Sequence, residues 1–164
     1  MKNNILIREA KNIDSKAIIS LIFDIWTQEC GFKVHQKDFP DLHQIEDFYQ
    51  LKGGLFLVAV INEEIVGTIA YDKITDTVFI LKRMFVRKDF RQLGVAQRLL
   101  DTLLEKKVSI PLCSFFLSTK EDLALAAKKL YLKNGFKIIE RQDLPTQFPF
   151  FYEDDLFMVK NFDS

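Results

Sequence analysis

Leu81-Lys82-Arg83-Met84-Phe85-Val86, with Arg91-Gln92-Leu93-Gly94-Val95-Ala96 shortly after it, is the stretch that decides the fold. The first run ends a predicted strand over 77–86. The second opens a predicted amphipathic helix over 95–106, with Val95, Leu99, Leu100, Leu103 and Leu104 on one side. A strand-to-helix junction presents unpaired helical N–H groups and the positive end of the helix dipole. Such groups bind phosphate oxygens. Gly94 lets backbone approach a ligand, Ala96 is small yet favours helix, and Arg91 adds a permanent cation. The segment 91–96 therefore reads as a backbone cradle for a diphosphate-bearing cofactor. It is not a P-loop, since no Gly-Lys-Ser/Thr follows, and it lacks the Gly-x-Gly of a dinucleotide fingerprint. On these residues alone, a plain strand-to-helix turn with an exposed arginine stands beside that reading.

The elements on either side define the class. A strand over 5–8 precedes a helix capped by Asp14 or Ser15, with Ala17, Ile18, Leu21, Ile22, Ile25 and Trp26 at helical spacing and Gly31 as its stop. A second, shorter helix is predicted over 41–50, ended by Gly53-Gly54. Strands over 55–61 and 65–71 flank an Asn62-Glu63-Glu64 turn and form a hairpin. Beyond 106, Pro111 precedes a buried strand over 114–118. A helix over 123–134 stops at Gly135, and strands over 136–140 and 156–160 close the chain. The order β-α-α-β-β-β-α-β-α-β-β predicts one α/β domain over 1–164. Its sheet is mixed and mostly antiparallel, with a parallel crossover around helix 95–106.

Composition narrows the function classes. The 164 residues are 48% hydrophobic, enough for a real core. Lysine plus arginine equals aspartate plus glutamate, 23 each, which argues against broad nucleic-acid binding. Cys30 and Cys113 lie far apart without metal-ligand spacing, so reduced thiols in a cytoplasmic protein and no metal site are expected. No apolar run approaches the roughly 18 to 20 residues of a membrane span, and residues 1–10 lack a signal-peptide core.

Arg91-Gln92-Leu93-Gly94-Val95-Ala96 matches the Arg/Gln-x-x-Gly-x-Gly/Ala motif of the GCN5-related N-acetyltransferases (GNAT). The strand Leu81 to Val86 resembles that family's central strand. Ala127-Lys128-Lys129-Leu130-Tyr131-Leu132-Lys133-Asn134-Gly135-Phe136 resembles its second motif, a helix with tyrosine running into Gly-Phe. Ile7-Arg8-Glu9-Ala10 and Ile65-Val66-Gly67-Thr68 also fit, so the resemblance covers nearly the whole chain. It implies a GNAT fold whose sheet is split by a parallel strand pair, with acetyl-coenzyme A in the split. It implies backbone N–H groups of Gln92, Leu93, Gly94, Val95 and Ala96 on the pyrophosphate, with Arg91 beside them. Met84, Phe85 and Val86 would pair with the pantetheine arm. An amide at Met84 or Phe85 would donate to the thioester oxyanion, Asn134 would flank the cofactor's far arm, and Tyr131 would be the general acid.

The implied reaction is direct attack of a primary amine on the thioester. Reference pKa values of about 10 for tyrosine and about 8.5 for a thiol make full proton transfer from Tyr131 uphill by roughly 2 kcal/mol. The tyrosine is then either perturbed or mainly a hydrogen-bond donor, with water completing the transfer. Many relatives carry a glutamate base just before the Leu-Lys-Arg segment, where this chain has Phe79-Ile80. A lysine-type amine costs roughly 4 to 5 kcal/mol to deprotonate at pH 7, an α-amine only about 1 to 1.5. Either the acceptor is a less basic amine, or a base works through water from elsewhere, with Glu29, His35 and Asp41 as candidates beside their reading as surface or capping residues.

His43 and Cys113 read as structural, and Lys128-Lys129 as a solvated face, with cationic contacts to the cofactor's ribose phosphate as the alternative. The aromatic stretch Phe148, Phe150, Phe151, Tyr152 reads as core or homodimer-interface packing, with an acceptor pocket as the alternative. The acceptor, a small molecule, amino acid or peptide, would be met by 26–50 and 144–152. The competing readings are a catalytically weak acetyl-CoA-binding sensor or interaction module, motivated by the missing strand glutamate, and, more distantly, a nucleotide-binding enzyme.

Overall fold

Asn62 and Glu63 both have left-handed backbone, φ 49° and 66°, which is the geometry of a two-residue hairpin turn whose twist suits antiparallel strands. That turn pairs Ile61 with Glu64 and sets the register of β2 (Leu55–Ile61) on β3 (Glu64–Lys73). The computed structural model describes residues 4–106, 112–149 and 154–163. Pro111 and Phe150, Phe151 and Tyr152 lie outside them. The remaining strands are β1 (Leu6–Glu9), β4 (Val78–Val86), β5 (Leu112–Thr119), β6 (Lys137–Ile139) and β7 (Leu156–Asp163). They form one seven-stranded sheet in the order β1-β2-β3-β4-β5-β7-β6. Within that sheet β4 and β5 run parallel and the other neighbours antiparallel. The mixed α/β architecture expected from the element order is present.

Helices cover both faces, as strands buried on two sides require. On one face α4 (Val95–Lys106) and α5 (Leu125–Lys133) bring Val95, Leu99, Leu100, Leu103 and Tyr131 onto sheet residues such as Leu57, Ile69, Phe79 and Phe115. On the other, α1 (Ser15–Asp24) packs Ile18, Leu21 and Ile22 on Phe56, Val58 and Ala70. A smaller cluster of Ile80, Leu144, Phe148 and Phe157 continues this second layer, so Phe148 is a core residue. None of the helices among the described residues is long and apolar enough to cross a membrane.

Three elements differ from expectation. The helix predicted over 41–50 is two single turns, α2 (Pro40–His43) and α3 (Ile45–Phe48), broken at Gln44 with φ −137° and ψ 64°. The break lets Leu42, Ile45 and Tyr49 all be fully buried while Asp41 reaches the sheet, a tertiary demand that outweighs helix propensity. The helix predicted to run to Trp26 continues from α1 as a widened turn over Ile25–Glu29, a π-type bulge of the kind found near functional sites. The last helix begins at Leu125, because Glu121–Leu123 forms a separate tight turn.

Asp14 holds the N-cap position of α1, but its carboxylate turns backwards. It accepts two hydrogen bonds from the Arg8 guanidinium at 2.8 and 2.9 Å and one from the Lys11 N–H at 2.8 Å. The Arg8 contact holds its pKa below the usual carboxylate value of 3.8. A lowered native pKa stabilises the fold above the unfolded-state value, and that contribution is lost as pH falls through the native one. Asp14→Ala is expected to destabilise by about 1–3 kcal/mol at pH 7. In urea titrations the gap to the parent protein should close as pH drops below about 4.

Candidate active site

β4 and β5 pair only through Val78–Ile80 and Ser114–Phe116. Beyond them β4 runs on to Val86 paired with β3, and β5 runs on to Thr119 paired with β7. The two parallel strands therefore part, leaving a V-shaped gap in the sheet. A small cleft lined by Ile80, Leu81, Lys82 and Ser118, with Phe148 and Pro149, opens at its apex.

The β4 wall of the gap is bulged. Thr68 pairs with Phe85 and Ala70 with Lys82, so Ile69 stands opposite both Arg83 and Met84. Arg83 takes φ 59°. Such a bulge re-aims the backbone beyond it and often lies next to an active site. The extra residue also shifts the facing pattern: Phe79 and Leu81 pack into the α4 side of the core, and so do Met84 and Val86. Phe85 points the other way, edge-on to Trp26 at 5.6 Å.

After β4, a short turn at Lys88–Phe90 leads into the exposed residues Arg91, Gln92, Leu93 and Gly94, and then into α4. Gln92 and Gly94 are both left-handed, φ 65° and 82°. Left-handed residues in such a turn gather backbone N–H groups into an anion-binding concavity. It sits at the N-terminus of a three-turn helix. A Cβ built on Gly94 meets nothing within 4 Å, so the glycine is required by its φ rather than by crowding. Crowding acts instead at Gly67 on β3. A Cβ there would lie 3.1 Å from each of Leu99 Cδ1, Val95 Cγ1 and the Phe85 oxygen. That close approach seats the start of α4 against the sheet beside the bulge. Val95 is buried and Ala96 half-buried, as a helix start turned inward requires.

Arg91 folds back over this loop. Its Nε donates to the Val86 carbonyl at 3.0 Å, and its Nη1 lies 2.6 Å from Glu29 in the widened turn. Both side chains are partly exposed, which limits such a pair to about 0.2–1 kcal/mol. If Arg91 must leave Glu29 to meet a phosphate, Glu29→Gln should tighten coenzyme A binding by up to about fivefold, read by calorimetry.

Tyr131 is buried, 5% exposed, against Phe136 at 5.3 Å. Burial raises its pKa well above the usual tyrosine value. Asn134, at the end of α5, exchanges two amide hydrogen bonds with Gln97 of α4, at 2.9 and 3.1 Å, and donates to the Leu130 carbonyl at 2.7 Å. In this state its side chain ties the two helices together beside the loop.

The candidate bases are largely engaged. Asp41 accepts from Arg83 and Tyr49, and Glu29 pairs with Arg91. His35 is exposed at the start of a short turn. His43 Nε2 lies 3.1 Å from the Gln36 carbonyl, and Lys128 pairs with Glu121. Phe79 and Ile80, which replace the strand glutamate, are buried at 1% and 4% exposure, so no base stands there. Sequence reasoning missed Thr68, Arg83 and Gln97. For Arg83 one signal was available: the inward apolar spacing from Leu81 to Met84 is three residues where a regular strand has two.

A parted parallel strand pair, a bulged strand and an N–H-rich loop at a helix start define the fold of the GNAT acetyltransferases, and known proteins agree. The chain belongs to the GNAT acetyltransferase family: the model for the "Acetyltransferase (GNAT) domain" matches residues 52–138. A GNAT-family acetyltransferase structure from Staphylococcus aureus Mu50 is 34% identical, with TM-score 0.88 over 96% of this chain and 99% of that one. An acetyltransferase from Streptococcus agalactiae 2603 is 26% identical, with TM-score 0.88 over 96% and 98%. The PaiA N-acetyltransferase of Thermoplasma acidophilum, solved with coenzyme A, shares the fold at 19% identity, TM-score 0.72, over 97% and 99%. No curated protein sequence matches the chain.

Proposed function

We propose that this protein is an acetyl-CoA-dependent N-acetyltransferase of the cytoplasm, acting as a single domain on a primary amine of a small molecule, amino acid or peptide. The observation that carries the reading is the left-handed pair Gln92 and Gly94 in front of α4, opening onto the gap between β4 and β5. Backbone N–H groups from Gln92 to Ala96 suit a pyrophosphate, and the unpaired edge of Met84 to Val86 suits the amides of a pantetheine arm. The PaiA relative holds coenzyme A on the same fold.

Acetyl-CoA supplies the activated acyl carbonyl. A neutral amine attacks that carbon, the carbon–sulfur bond breaks, the amine loses a proton and the thiolate gains one. The chain's task is to hold the carbonyl against the amide of Met84 or Phe85, exclude water and deliver a proton from the side of Tyr131. Burial widens the gap between Tyr131 and a thiol, so the phenol serves as a hydrogen-bond donor to the leaving sulfur, with water completing the transfer. The buried Phe79-Ile80 pair favours an acceptor that is already partly neutral at pH 7, such as an α-amine.

A thiol-release assay with acetyl-CoA and a panel of amines spanning pKa 7 to 10.5 tests this. Release with the less basic amines is expected at neutral pH. A strong preference for high-pKa amines sinks the α-amine idea. Tight acetyl-CoA binding without release from any amine marks a sensor instead, the reading favoured by the ion-paired state of Glu29 and Asp41.

A further inference from the structure

Arg83 combines a left-handed backbone with a nearly buried charge, its side chain 11% exposed. Both ends of the residue are held. Its carbonyl accepts a 2.7 Å hydrogen bond from the hydroxyl of Thr68, a fully buried residue of β3. Its guanidinium donates to Asp41 through Nε at 3.2 Å and Nη2 at 3.0 and 3.1 Å. Asp41 Oδ2 also accepts from the Tyr49 hydroxyl at 2.6 Å. The rings of Trp26 and Phe39 each lie 5.6 Å from the guanidinium carbon and shield the group.

The left-handed region is disfavoured for a residue with a Cβ. Released from these ties, the chain would relax to a regular pleat. The extra residue would rejoin the ladder, and the amides of Met84 and Phe85 would turn to the opposite edge. With both oxygens of Asp41 taken by donors, a positioning role fits it better than that of a base.

We propose that Thr68, Arg83, Asp41 and Tyr49 form a positioning lock: they hold the bulge that aims the oxyanion-donating amide, and through Asp41 they couple that amide to the acceptor-side segment 39–49. The lock rests on the acetyl-transfer reading above. Its members touch no reacting atom and act through the backbone of β4. Acceptor contacts that shift α2 would thereby be felt at the thioester carbonyl.

The test uses full-length Thr68→Val, Thr68→Ser and Asp41→Asn, with acetyl-CoA carrying a 13C-labelled carbonyl. In the parent protein, difference infrared spectra should show the bound carbonyl band at lower wavenumber than free acetyl-CoA. Thr68→Val and Asp41→Asn should return most of that shift and lower kcat by roughly tenfold to a hundredfold. Their acetyl-CoA dissociation constants should stay within about threefold of the parent's, as expected when an interaction made only in the transition state is lost. Thr68→Ser, which restores the hydroxyl, should recover both the shift and the rate. Should Thr68→Val not fold, Asp41→Asn carries the same expectation with volume unchanged. An unaltered band and rate in both variants overturns the lock alone. So does loss of binding and rate in parallel with no advantage of serine over valine. A parent protein that fails to bind acetyl-CoA removes the reading and the lock together.

Discussion

Replacing Tyr131 by phenylalanine is expected to lower turnover about a hundredfold or more, the scale of a lost proton donor, while the acetyl-CoA dissociation constant changes little. The ring is 5% exposed and packed on Phe136, and phenylalanine keeps that packing, so the fold should survive. Among the described residues the hydroxyl has no protein hydrogen-bond partner, so its removal leaves no buried group stranded. The loss therefore belongs in kcat. Stopped-flow thiol release with equilibrium binding separates the two quantities. Parallel losses in binding and turnover would count against a proton-donor role. The burial-raised pKa adds a second mark: the basic limb of the rate profile should not reflect Tyr131 below pH 10.

Gly94→Val should remove most coenzyme A affinity, raising its dissociation constant about a hundredfold. A β-branched side chain at φ 82° is strained by roughly 1–3 kcal/mol. Open space around the position means strain, and not a clash, drives the response. The loop is exposed and relieves the strain by turning the adjoining peptide, which scatters the N–H groups of the concavity. Losing one charge-assisted hydrogen bond, worth about 1.5–3 kcal/mol, accounts for an effect of that size. Calorimetric titration with coenzyme A measures it. A melting temperature without ligand that stays within a few degrees would place the damage in the site rather than the core.

The parts of this arrangement that were legible in the chain are those written in local pattern. Helix α4 begins at Val95 and ends at Lys106 as its apolar spacing predicts. The Asn62-Glu63 turn closes the hairpin, and the parallel crossover follows from the element order. The left-handed backbone before α4 was legible in Gly94, since glycine is the residue that adopts it without strain. What stayed hidden depends on distant partners. Asp41 looks like a helix-cap acid until Arg83, 42 residues along the chain, is seen to hold it. Glu29 and Arg91 meet only when the widened turn of Ile25–Glu29 is folded over the loop. The bulge sits at an arginine, a residue type that gives no sign of left-handed backbone, so its one trace is the apolar spacing from Leu81 to Met84. Thr68 betrays itself only as a small hydroxyl residue in the apolar run from Ile65 to Ala70.

The three rungs that join β4 to β5 have a consequence for how the molecule breathes. The sheet is two half-sheets stitched at Val78–Ile80, with the longer antiparallel ladders on either side. Amides along the parted edges, Leu81 to Val86 and Leu117 to Thr119, therefore depend on the stability of their own half rather than on the whole. They should exchange with deuterium through local opening. A pantetheine arm laid between them would serve as the missing rungs and merge two cooperative units into one. In that sense the cofactor would complete the protein's architecture as well as its chemistry.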